Sequence, residues 1–181
     1  MTRLPLLTNE QVGSTDLVAS IRKRRGGELT DLDRLLLHSP AFATGWGELM
    51  GRVRGALDLS PLLRELAMCG VAVLNGAEYE FFHHAPPFKT AGGTEEQVQA
   101  IRLIGEANFP KHLFNQVEND TLDLTYQMTR NIKVDGELMK RLHQDLESTK
   151  TVELVTVVAA YNMVSRFLIA LDVNPEDHPP A

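Results

Sequence analysis

Residues 75–84, Asn-Gly-Ala-Glu-Tyr-Glu-Phe-Phe-His-His, gather two carboxylates, a tyrosine, two phenylalanines and two adjacent histidines. On a helix, Ala77, Glu80 and His84 share one stripe, and Glu80 and His84 are one turn apart, so their side chains can meet. Glu65 stands ten residues before Asn75 in an otherwise apolar run. A tight turn at Asn75-Gly76 is expected to fold the two segments into an antiparallel hairpin and can bring Glu65 towards the same stripe, although the spacing does not fix the rotation of the first helix. Two carboxylates beside an imidazole make a proton relay. The imidazole titrates near neutrality, and a carboxylate buried among Phe81, Phe82 and a group such as Trp46 has a raised pKa and can serve as acid or base. Glu65, Glu80 and His84 are the leading catalytic candidates. Tyr79 and His83 are secondary, because neighbours on a helix point in different directions. Trp46 and Phe81 are expected to contact substrate.

The same residues admit other readings. Glu78 and His83 could face solvent, and Glu65 could pair with Arg64 or Arg102. Glu80 and His84 could ligate a metal with Glu65 or His112, but structural zinc favours cysteine and histidine, and no second histidine-rich motif follows. No metal and no cofactor are expected. Near the C-terminus, Asn162 and Arg166 share a helix face. Arg166 is a candidate to hold a substrate carboxylate as a fork, but the favoured reading is structural, tying its helix to Glu153 or to a neighbouring subunit. The single cysteine, Cys69, sits in the apolar run AMCGVAVL and reads as a small buried hydrophobe.

The elements that must position these groups read as helices. Ser14 or Thr15 caps a helix running to about Arg25, after an extended arm over 1–13. Leu32, Leu35 and Leu36 mark a short helix, stopped by Pro40. Phe42, Trp46, Leu49, Met50 and Val53 recur at helical spacing. Ser60 with Pro61 opens a central helix that is apolar nearly all round to Leu74, and Asn75-Gly76 ends it. The helix through His84 is expected to be disturbed by Pro86-Pro87. Thr94 and Gln97 form a capping box. Further helices are expected over about 115–131, 135–146 and 150–171, followed by a loose tail over 172–181.

The bulk numbers narrow the function. A chain of 181 residues with 43% hydrophobic and 23% charged content is ordinary for one globular domain, and residues 1–181 are expected to form one. The net charge of −6 argues against nucleic acid or an anionic membrane as partner. Arg22-Lys23-Arg24-Arg25 reads as a solvated helix end, where cations favour the dipole. One cysteine permits no internal disulfide. No signal-type segment opens the chain, and no apolar run approaches the ~20 residues of a membrane helix. The expected location is the cytoplasm.

The stretch RELAMCGVAVLNGAEYEFFHHAPPFKTAG resembles the core of the carboxymuconolactone decarboxylase and alkylhydroperoxidase-D-like proteins. RLPLL, LLLHSPAFATGWGELMGRVRGAL and VELVTVVAAYNMVSRFLIALDV resemble its longer members, so the likeness covers about residues 3–173. It implies an all-α, alkylhydroperoxidase-D-like helical bundle, an obligate oligomer such as a homotrimer or homohexamer, and a site near subunit contacts. In the redox members a glutamate precedes a Cys-x-x-Cys pair, with a histidine four residues after the second cysteine. Glu65 and His84 match the glutamate and histidine, while Ala77 and Glu80 stand where the cysteines would be. A disulfide cycle needs two thiols, so peroxiredoxin-type activity is not expected. The expectation is a lyase-like, decarboxylase-type enzyme moving protons on a small carboxylated, lactone or enolisable substrate. The alternative is a non-catalytic binding or assembly protein, whose mark would be Phe81, Phe82 and Phe88 sealing the carboxylates from solvent.

Overall fold

The structure is a computed structural model and describes residues 2–173. Residues 174–181, most of the tail expected to be loose, lie outside the described residues. All regular elements among the described residues are helical. The described residues divide into two compact units, residues 2–56 with 170–173, and residues 57–169.

The first unit holds α1 (Asn9–Val12), α2 (Asp16–Arg25), α3 (Asp31–Leu36) and α4 (Pro40–Gly55). The arm expected to be extended contains α1, because Thr8 and Gln11 cap each other reciprocally and satisfy the first amides of a helical turn. Thr15 caps α2 and Gly26 closes it in the left-handed conformation (φ 80°). Pro40 begins α4 as well as limiting α3, since at the first helical position its missing N–H costs nothing.

The second unit holds α5 (Pro61–Asn75), α6 (Glu78–Thr90), α7 (Glu95–Ile101), a single 3-10 turn at Lys111–Leu113, α8 (Gln116–Arg130) and most of α9 (Gly136–Leu171). Ser60 caps α5, Gly76 (φ 68°) terminates it, and Ala77 N–H returns to the Ala72 carbonyl at 2.8 Å. That closure lets α6 start two residues after α5 ends. Pro86 and Pro87 lie inside α6 without breaking it. The carbonyls they leave unbonded belong to Phe82 and His83, which are exposed and can reach water, while Phe88 one turn further is 1% exposed and anchors the continuing helix.

The two last helices expected from the sequence are present: residues 136–146 and 148–171 meet at a kink at Glu147 (φ 61°, ψ 175°) and are labelled together as α9. By length and composition α9 is apolar enough to cross a membrane, a correction to the expectation that no such run exists; half of that stretch is buried inside the protein. Leu154, Val157, Val158, Tyr161 and Val164 are fully buried, so α9 serves here as a core helix. Asn162 ties it down: its amide donates to Thr129 Oγ1 (2.9 Å) on α8, and its Oδ1 accepts from Asn75 (3.1 Å) on α5.

Candidate active site

Glu65 sits five residues into the central helix, where the burial of α5 on nearly every side leaves its carboxylate 5% exposed. The α5–α6 hairpin sets His84 against it. His84 Nδ1 lies 2.7 Å from Glu65 Oε2, and His84 Nε2 lies 3.3 Å from Glu80 Oε2 one turn earlier on α6. Tyr161 of α9 closes the far side, its ring edge-to-face with the imidazole at 4.9 Å between centroids. One imidazole therefore bridges two buried carboxylates, and Tyr161 fixes the plane of its ring.

Electrostatics follow from this packing. Burial works against a charged imidazole, but hydrogen bonds and the charges of Glu65 and Glu80 outweigh it and raise the His84 pKa. Burial likewise disfavours charge on Glu65, yet the bond to His84, its charge and Arg64 hold the carboxyl below its usual range. Arg64 donates to Glu65 Oε1 through Nε (3.2 Å) and Nη2 (3.1 Å). The sequence raised Arg64 as an ion-pair partner and did not count it in the site. Its signal was adjacency to Glu65, ordinarily uninformative on a helix. Here both side chains swing to the same opening.

That opening is a cleft of about 650 Å3, open to solvent and lined by Pro61, Arg64, Glu65, Pro86, Pro87, Thr90 and Ala91. Glu65 thus has one oxygen on the imidazole and its side chain on the cleft wall. Glu80 lies deeper, at 3% exposure.

The remaining expected site residues fall elsewhere. Tyr79 is buried, and its ring meets exposed His83 at 4.4 Å, with Phe82 on the other side of His83. Phe81 lies under Arg102, whose guanidinium carbon is 4.0 Å from the ring centroid and which also pairs with Glu78 at 3.2 Å. Arg102 is therefore Glu78's partner, and Arg64 is Glu65's. Arg166 donates to the Asn162 carbonyl at 3.0 Å and to its Oδ1, while Glu153 accepts from Leu59 N–H at 2.7 Å. Neither Phe81 nor Arg166 lines the cleft. Trp46 belongs to the other unit, on α4, with its ring edge-to-face with Phe42 at 5.7 Å. Cys69 is fully buried on α5, and burial with the charges of Glu65 and Glu80 pushes its pKa up, which keeps the thiol protonated. Among the described residues no group of three or more histidine, cysteine or acidic side chains is arranged to hold a metal ion.

Residues 40–109 match the carboxymuconolactone decarboxylase family model. The chain has a single cysteine, Cys69, within the matched stretch, hence no Cys-x-x-Cys pair. Among curated proteins none matches. Among solved structures, the debrominase Bmp8, crystallised in complex with 2,3,4-tribromopyrrole, is 16% identical, with a TM-score of 0.76 over 96% of this chain and 91% of its own. An uncharacterised peroxidase-related protein from Silicibacter sp. TM1040 is also 16% identical, with a TM-score of 0.75 over 96% and 94%. A protein described as an alkylhydroperoxidase AhpD core, from Ralstonia eutropha JMP134, is 12% identical, with a TM-score of 0.79 over 97% and 93%. At these identities the likeness establishes the all-helical, alkylhydroperoxidase-D-like fold.

Proposed function

We propose that the protein is a cofactor-free acid/base enzyme, a lyase or a related proton-transfer catalyst, acting on a small carboxylated, lactone or enolisable molecule. The observation that carries this reading is a buried imidazole bridging two carboxylates, one of which lines an open cleft. The sequence made Glu80 the leading acid or base. The position of Glu65 on the cleft wall favours exchanging those roles: Glu65 meets the substrate, His84 stores the proton, and Glu80 balances the imidazolium from behind. In a decarboxylation, the C–C bond to the substrate carboxylate breaks, carbon dioxide leaves, and the bond's electron pair stays on the substrate as an enolate. His84 then passes a proton through Glu65 to that carbon. Isomerisation uses the same path in both directions. The Arg64 guanidinium at the cleft wall suits a substrate carboxylate.

The sealed-pocket alternative is disfavoured by exposed Phe82 and by Phe81 lying beneath Arg102. A thiol redox role is disfavoured by the burial and raised pKa of Cys69. The family likeness and the net charge of −6 support a cytoplasmic homotrimer or homohexamer whose partner is a small molecule, neither nucleic acid nor membrane. The test is a panel of small keto acids, lactones and unsaturated acids incubated in D2O with wild type, Glu65→Gln and Glu80→Gln. NMR should show deuterium incorporation or loss of the carboxyl group with wild type, reduced about 100-fold or more in Glu65→Gln. Equal rates in wild type and Glu65→Gln would overturn the assignment.

A further inference from the structure

The first unit carries a second cleft, of about 270 Å3, lined by Arg24, Arg25, Gly51, Arg54 and Gly55. Three of its five lining residues are guanidinium-bearing, in a chain whose net charge is −6. Basic residues in the last turns of α2 and α4 are ordinary on their own, because cations favour helix C-termini. Three further features of the cleft are not explained that way.

The first is preorganisation. Asp33, nearly fully buried, grips Arg25 with both oxygens, at 3.0 Å to Nε and 3.3 Å to Nη2, and also accepts from Thr30 N–H at 3.0 Å and Thr30 Oγ1 at 2.7 Å. The second is the position of Arg24. Its Nη2 lies 3.9 Å from the same Asp33, a carboxylate whose oxygens are already committed, and a methyl group built on Gly47 would sit 3.3 Å from its Nη1. Its pKa is lowered by burial and by Arg25, opposed by Asp33, with Arg54 lowering it further. The third is glycine. Gly47, Gly51 and Gly55 recur every fourth residue along one face of α4. Each costs helix stability relative to alanine. Gly47 makes room for Arg24, but nothing stands within 4 Å of a methyl group built on Gly51 or Gly55, so packing within the chain gives no reason for them. Their absent side chains keep the floor of the arginine-lined cleft open.

We propose that this cleft, with Arg24 as its principal donor and Gly51-Gly55 as its floor, is a binding site for a phosphate-sized oxyanion, free or as the phosphate group of a small metabolite. The Arg24 guanidinium fork matches the geometry of such an anion, while Arg25, held on Asp33 through Nε and Nη2, contributes positive charge beside it. A bound dianion also relieves the repulsion between neighbouring arginines.

Isothermal titration calorimetry of the intact protein at fixed ionic strength tests it, with inorganic phosphate, glycerol 3-phosphate and, as control, chloride. Wild type should bind one phosphate per chain saturably. Arg24→Gln and, independently, Gly51→Leu, which fills the floor with a good helix former, should each weaken binding about tenfold or more. Lys140→Gln, an exposed cation in the other unit and outside both clefts, should leave it unchanged. Tighter binding of glycerol 3-phosphate than of phosphate identifies a phosphomonoester ligand, and the reverse identifies the free anion. No saturable binding in wild type, or binding untouched by Gly51→Leu, overturns the proposal. Because Gly51→Leu alters no charge, it decides the matter even if Arg24→Gln fails to fold.

Discussion

At the scale of the residue, the central unit is one histidine shared by two glutamates. Its linkage to stability has two opposite signs. His84 has a raised folded pKa, so its contribution is complete below the ordinary imidazole value of about 6.5 and is lost as pH rises through the raised value. Glu65 has a lowered folded pKa, so its contribution is complete above the ordinary carboxyl value of about 4.3 and is lost as pH falls through the lowered one. The triad is therefore most stabilising between those two ordinary values. Denaturant unfolding from pH 4 to 9 should show the advantage of wild type over His84→Gln shrinking at the alkaline end; a constant difference would contradict this. Turnover should fall on the same alkaline limb, since the stored proton is then gone. Glu80 and His84 were legible from i, i+4 spacing, and Glu65 from the tight turn taken together with the family resemblance. Which carboxylate meets the cleft was not legible, since it depends on the rotation of α5 about its axis. For Arg166 a structural role was the favoured reading, but its partner was not legible, because an arginine's reach lets it return to its own helix, here to Asn162.

At the scale of the element, capping chemistry was read correctly at Thr15, Ser60 and Thr94, where a hydroxyl residue precedes the helix by one position, and was missed at Thr8, Thr30 and Asn115. The persistence of α6 through Pro86-Pro87 was not legible, because it depends on which carbonyls reach solvent and on the burial of Phe88. That anchor is tight: a methyl group on Gly93 would lie 2.3 Å from the Phe88 ring. Gly93→Ala should cost about 1–3 kcal/mol, measured by urea unfolding, and loosen the helix that carries Glu80 and His84. The break in α9 makes the opposite prediction. Glu147 holds φ 61°, ψ 175°, a region that a residue with a side chain enters at a cost of order 1–3 kcal/mol. Glu147→Gly should stabilise the protein by about 1 kcal/mol, raising Tm by a few degrees; a loss of stability would show that the side chain compensates for the strain.

At the scale of the whole molecule, the fold was legible because helical periodicity runs along the chain and agrees with the family-like stretch within residues 40–109. The division into two units was not, since no proline- or glycine-rich linker marks residues 56–57. Nor was the depth of α9: isolated polar residues such as Asn162 and Ser165 interrupt its apolar pattern, yet they are buried and hydrogen-bonded to Asn75. Burial of Cys69 also has a molecular consequence. A thiol reagent should label native protein far more slowly than unfolded protein, and Cys69→Ala should leave turnover intact. Fast native labelling would reopen thiol chemistry.

The most direct test of the account is the pH titration of the His84 ring, followed by NMR on histidine-labelled protein and assigned with His84→Gln. The account predicts an imidazole pKa above the ordinary value of about 6.5 that drops in Glu65→Gln and drops again in the double variant Glu65→Gln, Glu80→Gln. A ring that titrates at or below the ordinary value, indifferent to both carboxylates, would contradict the buried proton store on which the proposed chemistry rests.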